Sequence, residues 1–356
     1  GPRCTSYNAR SKDGRRMIHP EDLEHCREAI RHGSLSFHAA SKLLPSKVRD
    51  PALALYAFCR LADDEVDEGD YQAGAVFRLQ ERLDLAYAGK PQNAPEDRAF
   101  AAIVEDFEMP RALPEALLEG LAWDAAERRY DTLSGVRDYS ARVASAVGAM
   151  MCVLMRVRDP DALARACDLG VAMQLPNIAR DVGEDARMGR IYLPLDWLKE
   201  AGIDPLNFVR DPLPTNEIRK LVKRLLAEAD RLYRRSESGI DVLPLQARTG
   251  IWAARLIYAG IGTQLKRQGY DSISMRARTS SRQKLGWLAQ AGLRTTASVV
   301  MPTSAVIYAQ PLSEVAFLVD AASQQRPARS RPSSVLDILA ELKARESEIG
   351  QNRPLA

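Results

Sequence analysis

The sequence predicts an all-α protein, and three observations lead to that class. Between positions 20 and about 311, apolar residues recur at intervals of three and four, which is the period of an amphipathic helix. Strand-like alternation is nearly absent from the same stretch. The most apolar run, 143–155, has about 13 residues, whereas a membrane-spanning helix needs roughly 20. That run therefore predicts a buried helix.

Proline and aspartate interrupt the helical pattern at three places, 90–97, 158–161 and 211–215, and none of these is long enough to be a domain linker. We therefore expect one catalytic domain over residues 17–311. Residues 1–16 are expected to be an unstructured extension. Residues 312–356 are expected to be a loosely attached polar tail, in which 335–348 forms one more helix.

Composition argues against several classes of function. Fifty Lys and Arg against 47 Asp and Glu leave a charge of only +3, so nothing demands a nucleic-acid partner. The cysteines are five in number and lack C-x-x-C spacing, and the four histidines lack zinc-site spacing. Gly260-Ile261-Gly262 lacks the third glycine of a dinucleotide fingerprint, and no phosphate-binding loop motif occurs. We expect a cytoplasmic protein that uses neither NADPH nor ATP.

Two acidic segments, about 118 residues apart from Asp63 to Asp181, provide the first indication of chemistry. In the first, Tyr56, Arg60, Asp63 and Asp67 are spaced by four, three and four residues. They therefore share one face of a helix, which is expected to begin at Asp50-Pro51 because this pair suits a helix start.

The second segment repeats the arrangement. Gln174, Asn177, Asp181 and Asp185 are spaced by three, four and four residues, and are expected to share one face of a second helix. Pro176 lies inside this pattern, where it removes a backbone hydrogen bond and is expected to kink the helix.

A divalent cation would explain both segments. Like charges four residues apart destabilise a helix by roughly 0.2–0.5 kcal/mol. Magnesium prefers oxygen ligands and often bridges carboxylates to phosphates. The alternative for a single acidic run is a solvated helix end, and two matching runs favour the metal site. Arginine suits phosphate oxygens, and hydroxyls near a flexible loop could add contacts; the candidates are Arg60, Arg180, Arg190, Ser34 and Ser36.

Two strings carry a family resemblance: YAFCRLADDEVD at 56–67 and QLPNIARDVGEDARMGRIYLP at 174–194. Both resemble the squalene/phytoene synthase family, and the second is similar to its bacterial, 15-cis-phytoene-forming branch. The similarity extends from about Ile18 to Arg278. It implies a single isoprenoid-synthase helical domain around a central cavity.

The resemblance also implies roles for individual residues. The two aspartate motifs would hold magnesium, with manganese as a substitute, through Asp63, Asp67, Asp181 and Asp185, assisted by Asn177. The early serines and two arginines would bind the diphosphate, namely Ser34, Ser36, Arg60 and Arg180. The remaining matched positions would border the cavity. Tyr56, Tyr139 and Tyr258 would act in catalysis, and Gln174, Arg190 and Tyr192 would bind substrate.

The implied reaction is the head-to-head condensation of two geranylgeranyl diphosphates, through a cyclopropyl diphosphate, to phytoene, with release of two diphosphates. Three alternatives remain open: a squalene- or hydroxysqualene-forming enzyme that uses farnesyl diphosphate, a terpene cyclase, and a catalytically silent scaffold. Because substrate and product are apolar, peripheral contact with a membrane is a further expectation.

Two details are left undecided at this stage. The small residues Ala144, Ala146, Gly148 and Ala149 would suit a tunnel for a prenyl chain, and would equally suit tight helix packing. Met275 stands where relatives often carry a basic residue, and Arg276 beside it is the possible replacement.

Overall fold

The computed structural model describes residues 17–68, 72–324, 338–339 and 342. Within these residues every regular element is helical, so the all-α prediction is confirmed. The expected extension 1–16 and most of the expected tail lie outside the described residues. A π-helical turn, Ala141–Ser145, joins α7 to α8, and a 3-10 turn, Ala305–Tyr308, follows α15.

The helices in chain order are α1 (Pro20–Gly33), α2 (Leu35–Ser41), α3 (Ser46–Glu68), α4 (Gln72–Tyr87), α5 (Pro95–Phe107), α6 (Ala112–Ala125), α7 (Leu133–Ser140), α8 (Ala146–Leu154), α9 (Pro160–Arg180), α10 (Val182–Arg187), α11 (Leu195–Glu200), α12 (Pro205–Arg210), α13 (Asn216–Ile240), α14 (Leu245–Arg267), α15 (Ser281–Val300) and α16 (Ala316–Ser323).

The three predicted interruptions fall between helices: between α4 and α5, between α8 and α9, and between α12 and α13. At the second of these, the Asp159 carboxylate accepts a hydrogen bond from the amide of Ala162. Pro160 follows in the first turn, where a missing N–H is no loss. Aspartate and proline thus act here as helix starters, as their positions in the sequence predicted.

The expected start of α3 was wrong by four residues. The helix begins at Ser46, and Pro51 lies inside it. The carbonyl of Pro45 already accepts hydrogen bonds from the amides of Val48 and Arg49, so the first turn is closed before Pro51 is reached. A proline this near the N-terminus removes only one intrahelical bond, which the helix tolerates.

Helix α9 runs through the middle of the protein. It packs against α8, α13, α14 and α16 as well as the π-helical turn. The apolar helix α8 is buried, as predicted, with Met150 and Ala149 inaccessible to solvent. None of the described helices combines the length and apolar character needed to cross a membrane.

The packed body continues beyond position 311, at which the predicted catalytic domain ended. Helix α16 packs on α6, α8 and α9, and Leu318 and Ala322 are fully buried. Leu339 and Leu342, which belong to the predicted helix over 335–348, are buried too. Residues 312–323 are therefore part of the core rather than of a loosely attached tail, because their apolar side chains find a partner surface on α9.

Helix α9 approaches the π-helical turn so closely that a side chain at Gly170 is excluded. A Cβ atom there would lie 2.5 Å from the Cα of Ser145. We expect Gly170→Ala to lower the free energy of unfolding by about 1–3 kcal/mol, since the backbones must separate. The control is Gly286→Ala on α15, where a Cβ meets nothing within 4 Å. It should raise stability by about 0.5–1 kcal/mol. Urea midpoints of both variants test this, and an unchanged Gly170→Ala midpoint would contradict the packing.

Candidate active site

A cavity of about 330 Å³ lies between α2, α3, α8, α9, α13 and α14. Polar residues of its wall include Tyr56, Gln174, Asn177 and Tyr258, and we call the part of the wall that these four form the polar end. Most of the remaining wall is apolar. The cavity therefore offers a site for an amphiphile with one polar end and a long hydrocarbon part.

The small residues of the apolar run divide between two roles. Ala144 and Gly148 border the cavity, whereas Ala146 and Ala149 are fully buried in the core. The small residues therefore allow tight packing at Ala146 and Ala149 and leave open space at Ala144 and Gly148, and the use of that space by a prenyl chain stays a prediction.

Helices α2, α3 and α14 meet at the polar end. Ser34 caps α2 by accepting a hydrogen bond from the amide of Phe37 (3.2 Å), and its hydroxyl is also hydrogen-bonded to that of Tyr258. The ring of Phe37 stacks on Tyr56, with centroids 5.1 Å apart. Burial raises the pKa of Tyr56 to about 12, so this hydroxyl stays protonated. Ser36 lies in α2, and its side chain is outside the described part of the structure.

The first acidic motif lies on α3, as predicted. Arg60 forms an ion pair with Asp64 (3.0 Å) and approaches Asp63 at 4.0 Å. Burial, and then the neighbouring carboxylate of Asp67, raise the pKa of Asp63 to about 6. The carboxylates of this face thus oppose one another's ionisation, even with Arg60 beside them.

The second acidic motif does not lie on a single helix, and this part of the prediction was wrong. Helix α9 continues through Pro176 and ends at Arg180, so that Asp181 is its C-cap and Asp185 belongs to α10. The Asp181 backbone has φ −100° and ψ 10°, which breaks the helical path. The amide of Asp185 still donates to the carbonyl of Asp181 (2.8 Å), so the two residues remain one turn apart.

Two guanidinium groups hold Asp181. Arg180 donates to both carboxylate oxygens, at 2.8 and 2.9 Å. Arg276 donates to the same carboxylate at 3.2 Å and lies 3.4 Å from Glu184. Met275 is half exposed. Arg276 therefore supplies the positive charge at this position, which the sequence had left undecided.

Asp124 is a site residue that the sequence analysis missed. Its carboxylate accepts hydrogen bonds from the hydroxyls of Tyr139 (2.9 Å) and Tyr192 (2.6 Å). The two tyrosine rings lie 5.1 Å apart, and Tyr130 stands 5.4 Å from Tyr139. The available signal was an aspartate beside Trp123 near the end of an otherwise largely apolar helix, ALPEALLEGLAWDA.

Asp124 links the two acidic motifs electrostatically. Burial raises its pKa to about 6, against the lowering effect of the hydrogen bonds from the tyrosines. Burial also raises the pKa of Asp185 to about 7, and the charges of Asp181, Glu184 and Asp124 add to that effect. Arg190 is an electrostatic neighbour of Asp67, Asp124 and Asp185. Carboxylates from α3, α6 and α10 therefore converge on one region.

The donor set fits a hard divalent cation. Carboxylate oxygens predominate among the possible ligands, and the Asn177 side chain lines the adjoining cavity. The partly buried acids repel one another unless a cation neutralises them. In the described part of the chain, no three His, Cys, Asp or Glu side chains already stand at mutual metal-binding distance. A cation held here would thus need bridging oxygens from water or a phosphate, which is the usual situation for magnesium.

Residues 30–284 match the family model for squalene/phytoene synthase. The chain belongs to the squalene/phytoene synthase family. The family predicted from the two motifs is thereby confirmed. Two proteins named phytoene synthase are similar to it over nearly their whole length. That of Cereibacter sphaeroides is 60% identical over 347 residues (95% of this chain, 98% of the relative), and that of Rhodobacter capsulatus 59% over 333 residues (93% and 98%).

A more distant family relative is the 15-cis-phytoene synthase of a Paracoccus species, 42% identical over 274 residues (74% of this chain, 89% of the relative). Among solved structures, a dehydrosqualene synthase in complex with a ligand matches with a TM-score of 0.72 and 30% identity, covering 78% of this chain and 97% of that one. The squalene synthase HpnC from Alicyclobacillus acidocaldarius matches with a TM-score of 0.65 and 26% identity (70% and 95%). The isoprenoid-synthase fold is thus confirmed.

The raised pKa values of the acidic residues predict an unusual pH dependence of stability. Folding raises the pKa of Asp124 from 3.8 to about 6, so the folded metal-free chain binds more protons there than the unfolded chain. The contribution of Asp124 to the free energy of unfolding should therefore rise as the pH falls from about 7 to about 4. Urea unfolding of the wild type and of Asp124→Asn across this range isolates the group by difference. A difference that is flat, or of opposite sign, would contradict the burial of this carboxylate.

Proposed function

We propose that this chain condenses two geranylgeranyl diphosphates head to head, through a cyclopropyl diphosphate, to phytoene, and releases two diphosphates. The observation that carries the proposal is the position of two aspartate motifs and their arginines beside the polar end of an apolar cavity. An isoprenyl diphosphate matches that arrangement, since its anionic head and apolar tail need opposite environments. The 60% identity to a protein named phytoene synthase supports the product.

We propose magnesium, or manganese in its place, as the cofactor. Asp63, Asp67, Asp181 and Asp185 would hold it, with the side-chain oxygen of Asn177. When bound, the metal would neutralise the diphosphate charge and assist its departure as a leaving group. Its affinity should depend on pH, because the raised pKa values mean that protons compete for Asp63 and Asp185.

The protein's own groups would bind the diphosphate and protect the reaction. Arg60, Arg180 and Arg276 now form ion pairs with acids of the two motifs, and could exchange these for phosphate oxygens when substrate arrives. The apolar wall would keep water from the carbocations that follow loss of diphosphate. The Asp124 carboxylate fixes the orientation of Tyr139 and Tyr192, whose ring faces could stabilise a nearby cation.

The length of the cavity supports geranylgeranyl rather than farnesyl chains. Asn177, Met173, Ala166 and Ala162 are cavity residues along one side of α9. At 1.5 Å per residue, the fifteen-residue distance from Asn177 to Ala162 is about 22 Å. With bond lengths near 1.5 Å, an isoprene unit extends about 5 Å, so a geranylgeranyl chain needs about 20 Å and a farnesyl chain about 15 Å.

A buried ionic cluster borders this cavity beside Ala162 and Ala166. Arg165, fully buried, borders the cavity and forms an ion pair with Asp168 (2.8 Å). Its guanidinium also donates to the carbonyl of Val306 (2.7 Å) in the 3-10 turn, and Arg235 donates to Asp168 (2.8 Å). Arg165 thereby fixes the 3-10 turn to α9, and the cavity wall around Ala162 and Ala166 is held in place, which supports a defined limit on chain length.

The alternatives differ in substrate and in reductant. A squalene-forming enzyme would use farnesyl diphosphate and a reductant, and no nucleotide motif occurs in this chain. A hydroxysqualene-forming enzyme would use farnesyl diphosphate alone. A silent scaffold is disfavoured because both aspartate motifs are intact. A terpene cyclase is disfavoured because its second metal motif generally combines Asn, Ser and Glu.

The decisive experiment is product identification by mass spectrometry after incubation with magnesium, without NADPH, and with each diphosphate in turn. We expect a C40 hydrocarbon from geranylgeranyl diphosphate. Asp63→Asn and Asp181→Asn should abolish turnover, because each removes a carboxylate ligand, while circular dichroism stays unchanged. Asp230→Asn, at an exposed position of α13, is the matched control and should keep full activity. Full activity in either motif variant would refute the metal assignment, and turnover of farnesyl diphosphate alone would refute the chain length.

A bulky side chain at Ala166 should shorten the accepted chain. This residue lies eleven positions from Asn177, or about 16 Å along α9, so Ala166→Phe would leave room for a farnesyl but not for a geranylgeranyl chain. We expect kcat/KM for geranylgeranyl diphosphate to fall at least about 100-fold relative to farnesyl diphosphate, an effect of about 3 kcal/mol. Ala227→Phe, at an exposed position of α13, should leave the ratio unchanged. An equal loss of kcat/KM for both substrates would count against the proposal that the distance along α9 sets the accepted chain length.

We propose a cytoplasmic location with peripheral membrane contact. The proposed substrate and product are both apolar in their larger part, so their concentration is highest in a bilayer. A protein that docks on the surface would shorten the path of both.

A further inference from the structure

Apolar side chains are exposed on one outer surface of the protein. Among the described residues, seven large apolar side chains are more than 60% exposed, and six of them lie between positions 285 and 308. The seventh, Leu206, lies in α12. We call the six the outer face of α15, although Met301 directly follows the helix and Tyr308 lies in the 3-10 turn after it. The six are Leu285, Leu293, Val299, Val300, Met301 and Tyr308.

The opposite side of α15 carries the groups that pack on α14. Ala291 is fully buried, and the Thr295 and Thr249 hydroxyls are hydrogen-bonded at 2.9 Å. Arg248 donates to the hydroxyl of Ser298 at 3.1 Å. Hydroxyl groups thus face the protein while leucine and valine face outward. A helix that met only water would show the reverse distribution, so this surface is suited to an apolar environment.

Positively charged residues belong to the same segment of the chain as the outer face. Residues 272–313 contain five arginines or lysines and no aspartate or glutamate. Arg282 and Lys284 belong to α15 itself, whereas the guanidinium of Arg294 packs over the ring of Trp252, 5.3 Å from its centroid. A partner of this surface must therefore offer negative charge next to an apolar layer.

We propose that the outer face of α15 docks on the surface of a bilayer that contains anionic lipids. Leucine and valine side chains would enter the boundary between headgroups and acyl chains, and Tyr308 would lie at the level of the headgroups. Arg282 and Lys284 would contact lipid phosphates. This inference names a surface for the membrane contact proposed above, and the choice of a bilayer rests partly on the apolar product of the proposed function.

Charge argues against two other occupants of this surface, a second copy of the chain and the C-terminal segment at 326–331. In a symmetric pair of chains, the same patch would face itself, so that Arg282 and Lys284 would meet identical cations with no acid in the segment to pair with them. The segment at 326–331, Arg-Pro-Ala-Arg-Ser-Arg, is basic as well. An anionic bilayer is the complementary partner.

Vesicle flotation of the full chain, without substrate, tests the proposal. We expect binding to phosphatidylcholine vesicles that contain phosphatidylglycerol, weaker binding to phosphatidylcholine alone, and a decrease with salt. The double variant Leu293→Glu and Val300→Glu should bind at least about tenfold more weakly. Leu206→Glu, equally exposed but on α12, should bind as the wild type does. The pair Arg282→Gln and Lys284→Gln should lose binding mainly to the anionic vesicles.

Several results would overturn the proposal. One is no flotation of the wild type, and another is equal flotation of the double variant. A third is a dimer in analytical ultracentrifugation that the double variant abolishes, which would assign the surface to a second copy. Loss of flotation in Arg326→Gln, Arg329→Gln and Arg331→Gln alone would assign the contact to the C-terminal segment. Product formation is measured separately, so the proposed reaction and this surface can fail independently.

Discussion

The mutual repulsion of partly buried carboxylates is the constraint on which the site depends. Acids from α3, α6 and α10 are electrostatic neighbours, and burial raises the pKa values of Asp63, Asp124 and Asp185 to between about 6 and about 7. Much of the surrounding structure compensates this negative charge. Arginines pair with members of both motifs, and two tyrosine hydroxyls donate to Asp124. The negative charge that these groups leave uncompensated is the reason for proposing a cation.

Helix α9 joins the charged site to the apolar cavity. Its C-terminal end carries Asn177 and Arg180 beside the acids, whereas Ala166 and Ala162 border the hydrocarbon part. One rigid element therefore fixes the distance from the proposed diphosphate site to Ala162. The ionic cluster of Arg165, Asp168 and Arg235 holds the 3-10 turn against α9 beside this residue.

Local patterns predicted the fold class, the interruptions between helices and the face of α3, because periodicity and helix caps depend on neighbouring residues. The start of α3 and the break at Asp181 were missed, since each is decided by hydrogen bonds that residue types alone do not specify. The partners of Asp124 and Arg276 were missed for another reason, although Arg276 itself had been named as a possible replacement for Met275. Asp124 meets Tyr192 across 68 positions and Arg276 meets Asp181 across 95, and a single sequence does not specify which residues meet over such separations.

The small residues around the cavity have an evolutionary consequence. Glycine and alanine make up much of the wall, including Ala144, Gly148, Ala162, Ala166 and Gly250. Nearly every single substitution at these positions adds volume and fills the space. For the proposed prenyl substrate, descendants that accept shorter chains are thus one mutation away, whereas acceptance of longer chains requires the buried ion pairs around Arg165 to be rebuilt. Substrate range in such a lineage should drift more readily in one direction than in the other.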